Sequence, residues 1–290
     1  VYGAAAIACF LIVFANTKER VVPPKAQKTS LTGDLGDLVK NGPWVVLLIA
    51  TIAFILFVAL RGNATTYYFK YYVGTRTITL PTWLPSSLAG TQEWHWESLV
   101  SMFGVSNQVL SLLGAMLVPM FARRVGTKAA FIILFVVAIA STGSFYFLAP
   151  GQLALIFGIN AIGSLCGGPL SPLLMAMYAD TADFAEWKTG RRATGLIFSA
   201  SIFAQKLGWG VSGSVTLLFM GFLGFVANQA QSPRSLNGLV SLMSFYPMVL
   251  GLLSLAIIIF LYPLSEKKMA QIASDLKGRR ADDAAQPTAG

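Results

Sequence analysis

Histidine and cysteine are nearly absent from this 290-residue sequence, which contains one histidine, His95, and two cysteines, Cys9 and Cys166. Both cysteines lie in apolar runs without metal-ligand spacing, so neither a disulfide framework nor a zinc site is expected. A single histidine also leaves no Ser-His-Asp or Cys-His set for hydrolysis. We therefore expect no metal site, no cofactor and no enzyme activity.

Charged residues are scarce as well, since 11% of the chain is Asp, Glu, Lys or Arg and 55% is hydrophobic. Soluble domains carry about 25% charged residues, so this composition is typical of a membrane protein. A net charge of +9 is compatible with nucleic-acid binding. However, the positions of the basic residues explain it, and the partner that we expect is the lipid bilayer.

Apolar runs of about 20 residues mark membrane-spanning helices. The sequence predicts one partial and six full spans, at 1–15, 44–72, 98–121, 129–148, 152–178, 194–226 and 238–262. Because the chain begins at Val1 within an apolar run, we interpret it as the C-terminal part of a longer protein.

Most of the 21 Lys and Arg residues lie in alternate connections between these spans, at 16–40, 122–128 and 179–193 and in the C-terminal tail. The other connections contain only Lys70, Arg76 and Arg234. By the positive-inside rule the first set is cytoplasmic. The expected location is therefore a multi-pass position in the plasma (inner) membrane with a cytoplasmic C-terminus.

Carboxylates are missing from the predicted spans, but two cations lie inside them. Lys206 lies near the middle of span 194–226, where an ammonium costs about 2.5–3.5 kcal/mol and should face a cavity or a partner. Arg61 lies in the outer half of span 44–72, where it either snorkels outward or faces a cavity. With Asn63 and Thr65 it would form a polar patch for a hydroxylated or anionic solute.

Proline and glycine occur in patterns within two spans. Pro169 and Pro172 predict either a broken helix at a transport site or a simple kink. The pair Gly163 and Gly167, and the stretch GWGVSG at 208–213, indicate close helix packing by small residues. The latter lies within an apolar span rather than after a strand, so it is not interpreted as a dinucleotide-binding motif.

The stretch YADTADFAEWKTGRR at 178–192 places a dense group of charges between two apolar runs, and its position predicts a cytoplasmic connection. Its acids are expected to pair with basic residues there, and each surface pair contributes only ~0–1 kcal/mol. Either these pairs form an inner gate or the charges only determine topology. The candidate gate residues are Asp180, Asp183, Glu186, Lys188, Arg191, Arg192, Arg123 and Arg124.

The stretch YADTADFAEWKTGRRATG, followed by AQKLGW, resembles the melibiose permease-like family of glycoside–pentoside–hexuronide:cation symporters in the major facilitator superfamily. RGNATTYYFKYYVG and FARRVGTK are also similar to that family. The resemblance implies an all-α, polytopic major facilitator fold. This chain would contain the end of helix 6 (1–15), the central cytoplasmic loop (16–43), the six-helix bundle of helices 7–12 (44–262) and a cytoplasmic tail (263–290).

The resemblance further implies symport of a sugar or glycoside with Na⁺ or H⁺ by alternating access, with the solute bound between two six-helix halves. The acids that bind the cation in this family lie on helices 2 and 4, so the coupling-cation site is expected in the missing N-terminal half, which is itself a partner. Lys206 matches the family's helix-11 lysine beside the sugar and cation sites. Arg61 and Asn63 replace its helix-7 asparagines, and Ser171 replaces a helix-10 aromatic residue. The candidate lining set is Lys206, Arg61, Asn63, Thr65, Tyr68, Ser171 and Gln205.

Two alternatives remain at this point. One is a transporter of lysolipid or another organic solute with the same fold, although the polar patch of Arg61, Asn63 and Thr65 argues against a fully apolar cavity. The other is a non-transporting membrane sensor subunit, although the tail after Pro263 is short and Ala-rich for a signalling domain.

Overall fold

The computed structural model describes residues 2–17, 36, 38–80, 90–190 and 194–285. Within these ranges the chain is mostly helical. The helices are α1 (Tyr2–Asn16), α2 (Gly42–Tyr67), α3 (Trp96–Val125), α4 (Thr127–Ser144), α5 (Leu153–Gly167), α6 (Leu170–Thr189), α7 (Thr194–Phe222), α8 (Pro233–Met243), α9 (Phe245–Leu261) and α10 (Glu266–Ala285). A π-helical segment, Tyr68–Val73, continues α2, and a 3-10 turn, Phe145–Phe147, continues α4.

Among the residues that the structure describes, five helical segments are long and apolar enough to cross a membrane. They are Gly42–Val73, Trp96–Val125, Thr127–Phe147, Leu153–Thr189 and Pro233–Leu261. Helix α7 has 29 residues but is not among them, because Gln205, Lys206 and several Gly and Ser residues make it more polar. The segments confirm the prediction of an all-α, polytopic membrane protein.

The charged stretch at 178–192 was predicted as a connection between two spans, and for residues 178–189 the prediction of a connecting loop was wrong because they are helical. Helix α6 continues to Thr189 and ends at Gly190, whose left-handed φ of 68° and bond to the Glu186 carbonyl close the last turn. Thr181 and Ala182 are buried, so the packed face of the helix extends beyond its apolar run. Hydropathy marks where lipid contact ends, and it does not mark where the helix ends. Arg191 and Arg192 lie outside the described residues.

A short β-hairpin, absent from the sequence-based prediction, connects α2 to α3. Strands β1 (Arg76–Leu80) and β2 (Gly90–Trp94) are antiparallel, with Arg76 opposite Trp94 and Leu80 opposite Gly90. The sequence of β1, RTITL, is rich in the β-branched residues that favour strands. We call this end of the bundle the hairpin end and the opposite end, where α10 lies, the α10 end.

Helix α10 packs against the charged part of α6. Ile272 and Leu276 are buried, with 1% and 4% of their surface exposed. The indole Nε1 of Trp187 donates to Asp275 Oδ2 at 2.8 Å, and Arg279 donates to the Trp187 carbonyl oxygen at 2.9 Å. A large part of the stretch predicted as a tail is therefore a docked helix.

Within the described ranges, two clusters of aromatic side chains make up much of the core of the bundle. The cluster nearer the α10 end contains Phe54, Phe57, Phe131 and Phe135, whose rings meet edge-to-face or stacked at centroid distances of 5.3–6.4 Å. The cluster nearer the hairpin end contains Tyr68, Phe69, Phe103 and Phe145. Such pairs add to the stability that burial of the rings provides. The two clusters hold α2 against its neighbours on both sides of a polar cavity.

The closest helix crossings involve Gly168 and Gly114, which the sequence did not single out, and only part of the predicted glycine sets packs closely. A Cβ at Gly168 would lie 2.5 Å from the Ser111 Cα, and one at Gly114 would lie 2.9 Å from the Leu165 carbonyl carbon, so α3 and the α5–α6 junction touch backbone to backbone. Gly163 does pack closely, 3.0 Å from the Ser141 Cβ, whereas Gly167 has open space. In GWGVSG only Gly208 has a close neighbour, the side chain of Ile55.

Candidate functional site

A cavity of about 450 Å³ lies between the two aromatic clusters. Helices α2 to α7 all contribute to its wall. The lining residues are Phe54, Phe57, Val58, Arg61, Gly62, Thr65, Phe103, Asn107, Gln108, Ser111, Ala138, Thr142, Gly163, Ser164, Gly167, Gly168, Leu170, Ser171 and Trp209. The wall therefore combines apolar rings with amides, hydroxyls and one cation.

Arg61 is that cation, and the bundle holds it firmly. Its Nη2 donates to Asn160 Oδ1 on α5 at 3.0 Å, and its guanidinium lies over the Phe145 ring, 5.0 Å from the centroid. None of the lining residues is an acid. Of the two interpretations of Arg61, the structure favours the one in which it faces a cavity.

The polar patch predicted around Arg61 is divided between two faces of α2. Thr65 is one turn further on, lines the cavity and donates to the Arg61 carbonyl oxygen at 2.8 Å. Asn63 instead donates to Ser212 Oγ and Thr216 Oγ1 on α7, at 3.4 and 3.2 Å. With 3.6 residues per turn, residues two apart point to nearly opposite sides of a helix. Asn63 therefore joins α2 to α7 and does not line the cavity.

Tyr68 also lies outside the cavity, contrary to its place in the predicted lining set. It is fully buried in the cluster near the hairpin end, with its ring 5.1 Å from Tyr72 and 5.7 Å from Phe69. Its phenol oxygen has no hydrogen-bond partner among the described residues. Its position makes it part of the core.

The break between α5 and α6 opens onto the cavity. Gly167, Gly168, Leu170 and Ser171 line it, and the helix restarts with the bond from the Leu173 amide to the Pro169 carbonyl oxygen at 3.1 Å. The interruption covers only Gly168 and Pro169, whose backbones stay right-handed helical, and Leu153–Thr189 forms one span. Of the two interpretations of the proline pair, the structure therefore favours the simple kink. Ser171 is exposed and leaves space in this wall.

Helix α7 contributes Trp209 to the wall, but Lys206 and Gln205 are not lining residues. Lys206 is exposed, and within the described ranges no side chain bonds its ammonium. Residues three apart are neighbours on a helix surface, so Lys206 lies one turn from Trp209 on the same side. Gln205 is half-buried, and its Nε2 has no partner in the described part of the chain.

Several polar lining residues were missed by the sequence analysis. Asn107, Gln108 and Ser111 on α3 interrupt the apolar span 98–121, and the SNQ run there was the available signal. The single hydroxyl hydrogen of Ser111 can donate to Asn107 Oδ1, at 3.2 Å, or to the Ser164 carbonyl oxygen, at 3.3 Å, so α3 and α5 present their polar groups together. Thr142 and Ser164 lacked any sequence signal, because isolated hydroxyls are common in apolar helices.

Acidic candidate gate residues gather at the α10 end. Asp180 and Asp183 are half-buried on α6, and Asp180 lies near enough to interact with the carboxylates of Asp183 and Glu266. Burial raises the pKa of the neighbouring Tyr262 phenol, and the charges of Asp180 and Glu266 raise it further. Glu266 accepts from the Lys128 amide at 3.3 Å, and the Lys128 ammonium donates to the Tyr262 carbonyl oxygen at 2.6 Å.

Basic groups reach this part of α6 mainly from α10. The ammonium of Lys268 lies 5.4 Å from the Phe184 ring centroid, and that of Lys188 lies 6.0 Å from it. Arg123 and Arg124, the predicted partners of the acids, are exposed in the last turn of α3. Among the described residues, no three His, Cys, Asp or Glu side chains are grouped as metal ligands.

Sequence comparison identifies the family to which this chain belongs. A sequence model described as "MFS/sugar transport protein" matches residues 2–88 and 91–266. The chain belongs to this family. The MFS/sugar transport fold accounts for the polytopic helices, and the family consists of transporters rather than enzymes.

Curated relatives match nearly the whole of this chain. The chain is 31% identical to an isoprimeverose transporter of Lactiplantibacillus pentosus over 284 residues, covering 96% of this chain and 53% of that protein. It is 27% identical to a glucuronide carrier protein homolog of Escherichia coli (strain K12), covering 97% and 56%. It is also 27% identical to the putative glycoside/cation symporter YagG of the same organism, covering 100% and 58%. The chain thus spans about half the length of the curated relatives it matches.

Proposed function

We propose that this chain is part of a secondary active transporter that moves a sugar or glycoside together with a cation by alternating access. The observation that carries the proposal is the cavity that the bundle builds around Arg61. Its volume of about 450 Å³ falls within the range of about 300–1,000 Å³ common for small-molecule sites. The names of the relatives, which include a glycoside/cation symporter, support the same solute class.

The wall of the cavity suits a hydroxylated solute. Amides and hydroxyls of Asn107, Gln108, Ser111 and Ser171 offer both donors and acceptors for sugar hydroxyls. The exposed ring of Trp209 offers an apolar face for the C–H side of a sugar ring, as aromatic residues do in many small-molecule sites. A purely apolar solute would leave these polar groups unpaired at a considerable cost.

We propose that the coupling cation, Na⁺ or H⁺, binds at carboxylates outside this cavity, because no lining residue is acidic. Those carboxylates would belong to a second helical bundle, corresponding to the remainder of the relatives. That bundle would close the cavity from the side on which Lys206 is exposed. An ammonium at this depth requires a partner, and an acid of the second bundle would supply one.

Alternating access also needs a gate at each end of the bundle, which is open in one state of the transport cycle and closed in the other. We propose that the α10 end faces the cytoplasm, since it carries most of the Lys and Arg residues, and that Asp180, Asp183 and the docked α10 form part of an inner gate. Charged contacts there would be individually weak, but contacts made in only one state bias the equilibrium between two states.

The test is uptake of a radiolabelled glycoside by cells that express the intact transporter. A proton or sodium gradient should accelerate uptake, and an ionophore should abolish the acceleration. Lys206→Ala should lower gradient-driven accumulation more than equilibrative exchange, whereas Lys267→Ala, an exposed lysine of α10, should change neither. Gradient-independent uptake in the unmodified transporter would contradict symport, and unchanged accumulation in Lys206→Ala would remove Lys206 from the mechanism.

A further inference from the structure

One wall of the cavity holds polar side chains whose buried atoms lack a partner. Among the described residues, Arg61 Nε, Thr142 Oγ1, Asn160 Nδ2 and Ser164 Oγ are buried without a hydrogen bond. Thr142 and Asn160 have 0% of their surface exposed, and Ser164 has 4%. Arg61, Thr142 and Ser164 line the cavity, and Asn160 is bonded to Arg61. The chain brings these groups together from α2, α4 and α5.

The chemistry of these atoms is that of donors. An arginine Nε–H and an asparagine Nδ2 can only donate, and the two hydroxyls can donate as well as accept. Arg61 adds a positive charge, and no acid lines the cavity to balance it. Among the described residues, no acceptor bonds Arg61 Nε. The guanidinium lies over the Phe145 ring, and its Nη2 donates to Asn160 Oδ1.

We propose that Arg61, Asn160, Thr142 and Ser164 form an anion subsite in this bundle. Its ligand would be a carboxylate or a comparable small anion that accepts from the Arg61 and Asn160 N–H groups and from at least one hydroxyl. Two sources have this chemistry, an acidic group on the glycoside itself or a free inorganic anion such as chloride. The first source rests on the proposed function, and the second does not.

Water or a neutral hydroxyl fits these groups less well than an anion does. Either can accept a hydrogen bond from Arg61 Nε, but neither balances the guanidinium charge in a wall that lies between two aromatic clusters. Hydrogen bonds to an ionised acceptor are roughly twice as strong as neutral ones. A carboxylate also offers two oxygens, one for each of the two N–H donors.

The test uses the purified intact transporter and a matched pair of ligands. 4-Nitrophenyl β-D-glucuronide and 4-nitrophenyl β-D-glucoside differ only in a carboxylate in place of a hydroxymethyl group. Calorimetry in chloride-free buffer should show the glucuronide binding about 10-fold tighter or more, as expected for a charge-assisted pair. The free-anion source is tested separately by titrating chloride without glycoside. A bound anion should raise the unfolding temperature.

Two variants remove the subsite in different ways. Asn160→Asp places a carboxylate of the same size beside Arg61 and should cancel either anion effect, and Arg61→Gln should do the same by removing the charge. Lys70→Gln is the control, because Lys70 is a cation of the same helical segment that bonds Asn228 at 3.0 Å, away from the cavity.

Either anion effect, present in the unmodified protein and the control but absent from both variants, supports the subsite. A glucuronide preference identifies the glycoside carboxylate as ligand, and stabilisation by chloride identifies a free anion. Equal binding of the two glycosides, together with no effect of chloride, would overturn the proposal. If neither glycoside binds, but chloride stabilises the unmodified protein and the control and neither subsite variant, the subsite stands and the glycoside specificity of the proposed function fails.

Discussion

The contact between α3 and the α5–α6 junction gives a sharp test of the packing that shapes the cavity. At Gly168 a Cβ would lie 2.5 Å from the Ser111 Cα and closer still to the Ser111 carbonyl oxygen, whereas Gly167 has nothing within 4 Å. The backbone of Gly168 is right-handed helical, with φ of −54° and ψ of −46°. Alanine is therefore allowed there by conformation, and only the steric contact opposes it.

The magnitude follows from two opposing contributions. Overpacking in a close-packed interior costs about 1–3 kcal/mol, and replacing a helical glycine by alanine returns about 0.5–1 kcal/mol. The net cost of Gly168→Ala therefore lies between about 0 and 2.5 kcal/mol. Because the atoms that a Cβ would meet are backbone atoms of Ser111, we expect the upper part of this range, about 1–2.5 kcal/mol. At about 2–4 °C per kcal/mol for a domain of this size, that lowers the unfolding temperature by roughly 2–10 °C.

The assay is thermal unfolding of the purified intact transporter in detergent, with Gly167→Ala as the matched control. Gly167→Ala should leave the unfolding temperature unchanged or slightly higher, since its Cβ would meet no atom. Because Ser111 and Ser164 lie at the same crossing, Gly168→Ala should also weaken glycoside binding. An unfolding temperature for Gly168→Ala equal to that of the unmodified protein would refute the backbone contact.

Two further contacts give predictions of their own. Thr51→Val removes the 2.7 Å hydrogen bond to the buried Tyr178 hydroxyl and should cost about 0.5–1.5 kcal/mol, measured as a lower unfolding temperature. Thr51→Ser keeps the hydroxyl, and an equal loss in both variants would show that the hydrogen bond is not the cause. Ile272 lies on the buried face of α10 and is 1% exposed. Ile272→Ala should loosen the docking of α10, so limited trypsin digestion should cleave at Lys277 and Arg279 faster than in the unmodified protein. The exposed neighbour Gln271→Ala should not change that rate, and equal rates for the two variants would contradict the docking of α10.

Much of the fold follows from local patterns that the sequence displays directly. Apolar runs predict the membrane segments because a spanning helix must bond its own backbone and offer lipid an apolar surface. The same patterns do not show where a helix ends once it leaves the apolar layer. Helix α6 therefore extends to Thr189, although its last turns are charged enough to resemble a connection.

The composition of the cavity wall depends on contacts that no local pattern contains. Arg61 and Asn160 are 99 positions apart, so no local sequence pattern shows that their side chains are in contact. Arg61 was identified because a charge in an apolar span is conspicuous, whereas Thr142 and Ser164 resemble the ordinary hydroxyls of membrane helices. Helical rotation places Asn63 and Arg61 on different sides of α2, but only the position of α7 shows which of the two faces the cavity.

The central claim is that the cavity around Arg61 is where the transported glycoside binds. It is tested most directly by introducing a cysteine at Ser171, an exposed lining residue, in a background without Cys9 and Cys166. Alkylation of Ser171→Cys by N-ethylmaleimide should slow several-fold when a transported glycoside is present. Alkylation of Thr75→Cys, an exposed position near the hairpin, should not slow. Equal alkylation of Ser171→Cys with and without the glycoside would contradict the account.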